Sequence, residues 1–416
     1  MGKYFLEFTS PKIVLITSKR LPQVLTPLTP VQEATRTNTL QKNIWIGPEQ
    51  LSSLNLNDKS RIPVILVTYP HTFAVEEAKS LVDSSDRSIV GVFSQKYLNH
   101  SRYGIGAGKA EEIKEFARES KAEQIVVDEH LTSRQIHNLE KLAGVQVIDR
   151  ERLILDIFYT RATTTEAKLQ IELAEIQYEM PRVRENAKLS SGGDRAGKGG
   201  MGEYVVDVKF RDLKRRMSFI KEKLNDAHRK RELYHHQRIK TGMPVVSLVG
   251  YTSSGKTTLF NLLTGEHKQT SNSLFTTLST TTRLLKIDNK EILLTDTVGF
   301  ISRLPTYMID AFKSTLEESL AADLILLLID ASESLQDIRI KHAACRQVLG
   351  ELNVDKSKVL IVFTKCDRLN SEEMIKKISE DLGISNPMLI SSKTGYAITK
   401  LKSIIGHQSY AVSRAK

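Results

Sequence analysis

The stretch "GYTSSGKTT", residues 250–258, follows directly on the apolar run "PVVSLV" and is followed by "TLFNLLTG". An apolar run before it reads as a buried strand, and the sequence after it reads as a helix. Between them Gly250, Gly255, Lys256 and Thr257 match G-x-x-x-x-G-K-[ST] residue for residue. In that context the pattern is a phosphate-binding loop. Its glycines let the backbone curl so that successive N–H groups face inward, and the helix start adds positive potential. Lys256 is placed to reach the β and γ phosphates, and Thr257 to offer its hydroxyl to Mg²⁺. The loop as a whole, Gly250, Tyr251, Thr252, Ser253, Ser254, Gly255, Lys256, Thr257 and Thr258, is the expected phosphate cradle.

The loop alone does not choose between ATP and GTP, so the downstream residues must. "ILLTDTVGF" is an apolar strand ending in Asp296, with Gly299 three residues on. In such a D-x-x-G arrangement the Asp orients the water shell of Mg²⁺ and the Gly N–H senses the γ-phosphate. "KVLIVFTKCD" ends a further strand with Thr364, Lys365 and Asp367, matching [NT]-K-x-D. There the carboxylate accepts from guanine N1–H and N2–H₂, a donor pair that adenine lacks. Leaving it without donors costs about 1–3 kcal/mol, which favours GTP. "MLISSKTG" completes the set, with Ser391, Ser392 and Lys393 placed to form the loop over the base.

Working outward, the chain has 416 residues, too many for one ordinary core. Its 40% hydrophobic and 26% charged residues are those of a soluble globular protein, and a formal charge of +11 points to an acidic partner, nucleic acid first. Two cysteines exclude a disulfide framework and lack metal-ligand spacing. No apolar run approaches the roughly 20 residues of a membrane span, and the start "MGKYFLEFTSPK" has no signal-peptide core, so a cytoplasmic protein is expected.

Residues 1–60, with Pro and Thr clusters, are expected to be an N-terminal extension that is partly irregular. From "RIPVILVTYP" onward, strand patterns ("PVILV", "SIVGVF", "QIVVDE", "VQVID") alternate with helical ones, which predicts an α/β subdomain with a mainly parallel sheet over 61–158. Its glycine-rich "YGIGAGKAEEI" could bind an anion at a helix start but reads as a plain turn into a helix. Over 159–240, Leu169, Leu173, Ile176 and Met180, then Leu213, Met217, Ile220, Leu224 and Ala227, recur at alternating spacings of three and four. That predicts an antiparallel helical hairpin, with the glycine-rich 190–203 as a mobile tip. Its second helix carries twelve Lys and Arg against four Asp and Glu over 209–240, which reads as a contact to phosphate and shape without DNA sequence specificity, or else as a solvated face. Residues 241–416 form the nucleotide-binding domain.

Together these stretches resemble the HflX family of GTPases. The likeness runs over roughly 61–400 and includes "LILDIFYTRATTTEAKLQIELAEIQY", "GGMGE", "SLFTTLSTTTR" and "DTVGFISRLP". It implies an N-terminal α/β subdomain and a long hairpin beside a Ras-like G domain with a mostly parallel sheet. It also implies binding of GTP and GDP with Mg²⁺, and a monomer that binds the large ribosomal subunit and its rRNA. Action on stalled, stressed or idle ribosomes is implied too, as subunit dissociation or rescue. By the family pattern Thr277 is the switch threonine that meets Mg²⁺ and the γ-phosphate, so Lys256, Thr277 and Gly299 are the expected catalytic set, and Thr257 and Thr277 the expected metal ligands. Several positions depart from the pattern. Ser253 stands where Asn is common, which argues against potassium-assisted hydrolysis, and Thr364 replaces an Asn whose amide would tie the base loop to the phosphate loop. The Asp-Pro expected after the switch threonine and the Pro-Gly-Glu of the tip are also replaced. Phe300 follows Gly299 where many related GTPases carry a water-positioning Gln, so hydrolysis by the chain alone is expected to be slow. Two other classes stay open, a dual ATP/GTP hydrolase that remodels RNA and a nucleotide-gated binding protein with little hydrolysis.

Overall fold

The computed structural model describes residues 61–191, 199–266, 274–275, 280–288, 290–369, 372–384 and 387–414. The expectations for residues 1–60 and for Thr277 fall outside them.

The first sheet is built from β1 (Ile62–Thr68), β2 (Arg87–Ser94), β3 (Gln124–Val127) and β4 (Gln146–Asp149), in the order β2-β1-β3-β4. All its pairings are parallel. Val64 to Val67 are fully buried, because crossover helices cover both faces of a parallel sheet. Those helices are α1 (Thr72–Asp83), α2 (Ala107–Ser120), α3 (Ser133–Ala143) and α4 (Arg150–Arg161). Thr132 and Gln135 close a reciprocal cap at the start of α3. The glycine-rich stretch is a turn into α2, and Lys109 bonds Glu112 one turn along the same helix at 2.8 Å.

Two long helices follow, α5 (Thr165–Ser191) and α6 (Gly199–Thr241), packed against each other. The predicted seam is the contact. Leu173, Ile176, Ile220 and Leu224 are buried, and Leu169, Met180, Leu213 and Met217 pack against them. Helix intrudes on the predicted tip from both sides, to Ser191 and from Gly199, which corrects the expectation that 190–203 is a loop throughout. A helix already anchored by packing extends without a new nucleation cost, even into glycines.

The second sheet has six strands, β5 (Val245–Gly250), β6 (Thr281–Ile287), β7 (Lys290–Asp296), β8 (Leu324–Asp330), β9 (Val359–Thr364) and β10 (Met388–Leu389), in the order β10-β9-β8-β5-β7-β6. Among the described residues of this sheet only β6 runs antiparallel, at an edge. Its helices are α7 (Lys256–Thr264), α8 (Thr306–Leu320), α9 (Leu335–Glu351), α10 (Glu372–Leu382) and α11 (Ile398–Arg414). One continuous apolar cluster joins the two sheet units through α4, α5 and α8. At its centre Phe158 meets Phe275 and Phe312 edge-on, with ring centroids 4.7 and 5.2 Å apart.

Candidate nucleotide site

The carboxyl ends of β5, β7, β8 and β9 converge on one edge of the second sheet, and each delivers one predicted motif or its partner there. Gly250 closes β5 at φ 156°, and a Cβ on it would lie 2.5 Å from the Leu328 carbonyl oxygen of β8, so the loop can leave the sheet only with glycine at this point. The chain then turns through Tyr251–Gly255 into α7, whose first residue is Lys256. The Lys256 ammonium is buried and donates to the carbonyls of Gly250 at 3.1 Å and Tyr251 at 2.8 Å. Burial pushes its pKa down to about 8, against the pull of Asp296. Thr257 donates to the Asp296 carboxylate at 3.0 Å, and Thr258 is exposed one position on.

The turn after Asp296 is fixed to the phosphate loop by its backbone. Thr252 N–H donates to the Phe300 carbonyl at 2.8 Å, and Phe300 N–H to the Gly250 carbonyl at 3.1 Å. Gly299 is thereby drawn so close that a Cβ would stand 2.9 Å from Thr252 Cγ2 and 3.0 Å from Lys256 Nζ. The Phe300 ring is buried in the apolar cluster and turned from water.

The base-side loops are linked to the same cradle. Thr364 Oγ1 donates to the Ser254 carbonyl at 2.8 Å. This corrects the expectation drawn from the missing Asn, because the shorter hydroxyl makes the tie to the phosphate loop. Lys365 donates to the Ser253 carbonyl at 2.9 Å and pairs with Asp330 at the end of β8. The Asp367 carboxylate is exposed and accepts from the buried Ser391 hydroxyl at 2.6 Å, a bond that holds its pKa below the usual carboxylate value. Ser392 and Lys393 continue that loop toward solvent. The structure therefore brings the predicted residues that it describes to one rim, Tyr251 by its backbone alone.

Three family descriptions match in succession: a GTP-binding GTPase N-terminal region over residues 73–159, a GTP-binding GTPase middle region over 161–238, and a 50S ribosome-binding GTPase over 245–365. The GTPase HflX of Methanocaldococcus jannaschii is 40% identical over 80% of this chain and 82% of its own length, and that of Escherichia coli is 38% identical over 79% and 77%. The chain belongs to the HflX family of GTPases. The solved GDP complex of SsGBP aligns with 85% of this chain and 99% of its own at 25% identity and a TM-score of 0.49. As an HflX GTPase the chain binds and hydrolyses GTP. A Ser at 253 has a backbone correlate, since this residue lies in the left-handed region at φ 62°, where Asn is more at ease than Ser.

One predicted residue behaves otherwise than its neighbours in the HflX cradle. The Tyr251 ring points away from the phosphate side into the contact with the first sheet unit, where its hydroxyl bonds Glu77 and accepts from Ser302 N–H at 2.6 Å. Burial and the Glu77 carboxylate both raise its pKa. Sequence reasoning missed Glu77, Arg303 and Asp330. For Asp330 a signal existed, since "LLLID" ends a strand in Asp as "ILLTD" does.

Proposed function

We propose that this HflX GTPase uses GTP binding and hydrolysis to engage the large ribosomal subunit and act on stalled, stressed or idle ribosomes, by subunit dissociation or rescue. The observation that carries the reading is the solvent-facing basic side of α6, where Lys209, Arg211, Lys214, Arg215, Lys221 and Lys223 are exposed beside a nucleotide-responsive unit. Such a face suits the closely spaced phosphates of rRNA, and the matching family's description as a 50S ribosome-binding GTPase supports it. We read the chain as an extension over 1–60, an α/β subdomain over 61–158, a hairpin over 159–240 and a G domain over 241–416, acting as a cytoplasmic monomer. Among the described residues no helix is long and apolar enough to cross a membrane.

In the same reading Gly250–Thr258, Asp296 and Gly299 hold the phosphates, and Thr364, Lys365, Asp367, Ser391, Ser392 and Lys393 the guanine. Thr257 Oγ1 and the Asp296 carboxylate, 3.0 Å apart beside the start of α7, are hard oxygen donors that suit Mg²⁺. Thr257 would ligate the ion, Asp296 would orient its waters, and Thr277 would complete the shell. Bound there, Mg²⁺ would neutralise charge on the β and γ phosphates. Lys256 supplies a second positive charge and the Gly299 N–H a donor to the γ-phosphate. The buried Phe300 ring offers nothing to an attacking water, so in this reading the ribosome orders the loop at Thr277 and supplies the group that positions the water. GTP turnover measured with and without large subunits tests this. Stimulation by one or more orders of magnitude is expected, and equal rates would refute it.

A further inference from the structure

In the order β2-β1-β3-β4 the chain winds to one side of β1 and then returns to the other, so the gap between the carboxyl ends of β1 and β3 is the switch point at which open α/β sheets take their ligands. In this protein Thr68 ends β1 there and Asp128 follows β3, with the Thr68 hydroxyl donating to Asp128 Oδ2 at 2.7 Å. The group seated in the gap comes from the second sheet unit, four residues beyond Gly299. The Arg303 guanidinium donates to Asp128 Oδ2 at 2.8 Å, to the Asp128 carbonyl at 2.9 Å and to Glu129 at 3.3 Å, and lies over the Tyr69 ring at 5.1 Å. A carboxylate pair, a main-chain acceptor and an aromatic floor form a receptor for a planar cation.

The neighbouring residue is held as closely. Ser302 N–H donates to Glu77 at 3.1 Å, its hydroxyl donates to the same carboxylate at 2.5 Å, and its carbonyl accepts from Arg150 at 2.9 Å. Arg150 spans Glu77 and Asp128, and all three side chains are almost wholly buried. Arg303 itself stands in the left-handed region at φ 51°, a backbone cost that a non-glycine residue carries only where the surroundings impose it. Leu274 and Phe275, between α7 and β6, also bear on the first sheet unit, with Leu274 N–H donating to the Ser84 hydroxyl at 2.7 Å and Phe275 seated on Phe158.

We propose that the ligand crevice of the first sheet is a receptor for Arg303 of the chain's own switch loop, and that this seat holds Gly299 ready at the phosphate cradle for a triphosphate. Arg303, Asp128 and Glu77 are then positioning residues for GTP hydrolysis, since they act through the main chain of 299–303. A diphosphate has no γ-phosphate for Gly299 to meet, so GTP feels the seat and GDP does not. The proposal is independent of the ribosomal reading, and its test uses the full chain without ribosomes.

Affinities for GDP and for a non-hydrolysable GTP analogue, with single-turnover hydrolysis, are measured for Arg303→Ala, Arg303→Lys, Asp128→Asn and the double variant that combines Arg303→Ala with Asp128→Asn. Arg303→Ala should weaken the analogue by about fivefold or more, hold GDP within about twofold and slow the single turnover, with Lys at an intermediate value. The double variant should be no worse than the more affected single one, because both remove one contact. An unchanged ratio of the two affinities, a ratio moved toward the analogue, or equal weakening of both nucleotides would overturn the proposal. Should Asp128→Asn not fold, the two Arg303 variants decide the matter alone. Loss of all binding in the unaltered chain would instead strike at the nucleotide assignment.

Discussion

The Thr364 hydroxyl donates to the Ser254 carbonyl at 2.8 Å, so the end of the strand that presents the base loop is tied to the loop that cradles the phosphates, next to the Lys365 bond to the Ser253 carbonyl at 2.9 Å. Removing that hydroxyl leaves a buried carbonyl short of one donor, worth about 1 kcal/mol. Thr364→Ala should therefore weaken GTP and GDP alike by about fivefold in calorimetry, and Thr364→Asn, whose amide can reach the same carbonyl, by less than about twofold. A larger effect on one nucleotide than on the other would mean that the tie acts elsewhere.

The Asp367 carboxylate should set the choice of base. Asp367→Asn replaces an acceptor by a donor at one oxygen, which suits the extra carbonyl of xanthine, so GTP should bind more weakly and xanthosine triphosphate more tightly in a competition assay. Ser391 orients the carboxylate through its 2.6 Å bond, and Ser391→Ala should cost GTP about tenfold while leaving the preference for guanine over xanthine in place. Unchanged GTP affinity in Asp367→Asn would remove the guanine assignment.

Acid should loosen the contact between the two sheet units. Burial raises the Glu77 pKa, but Arg150 and the donors on Ser302 and Tyr251 outweigh it and bring the carboxyl below its ordinary value of 4.5. A carboxyl depressed in the folded state contributes stability above its unfolded pKa and loses it as pH falls through the folded one. Thermal unfolding followed from pH 6 downward should show stability falling below about pH 4.5, and Glu77→Gln should be less stable near neutrality with a shallower acid limb. An acid limb of the same slope in Glu77→Gln would assign the loss to other carboxylates.

On α6, Arg229 and Lys230 are exposed and extend the basic face. Replacing both by Ala should lower affinity for large subunits and reduce the slope of log affinity against log salt by about 1–2, since each phosphate contact contributes about 0.7–0.9. Sedimentation at three salt concentrations reads this directly, and an unaltered slope would leave these two residues solvated and nothing more.

Much of the nucleotide site was legible in the sequence because phosphate and guanine recognition depends on local backbone geometry. Gly250, Lys256 and Asp296 each end or begin an element whose apolar pattern also appears in the sequence, and Asp367 follows β9 by three residues. The alternation of periods likewise pointed to the first parallel sheet and the hairpin seam, and the family resemblance to the mostly parallel second sheet. The contact at Arg303 was not legible, since Glu77 reaches Ser302 across 225 positions and nothing in the composition of either segment announces it. Arg150 looks from sequence like one more surface arginine in "IDRERLI", yet it is buried between two carboxylates. The Thr364 tie was misjudged for a different reason, because reach depends on how close two loops lie and not on side-chain length alone.

The helical pair has a mechanical corollary. α5 packs on both α4 and α8, the helix that begins three residues after Arg303, while α6 continues for 43 residues, about 65 Å at 1.5 Å per residue. A rod of that length turned by about 5° about one end carries its other end through about 6 Å, nearly two nucleotide steps of about 3.4 Å along a strand. Sub-ångström rearrangement around a terminal phosphate can thus be geared up into a stroke on the scale of the polymer it touches, without either sheet having to deform.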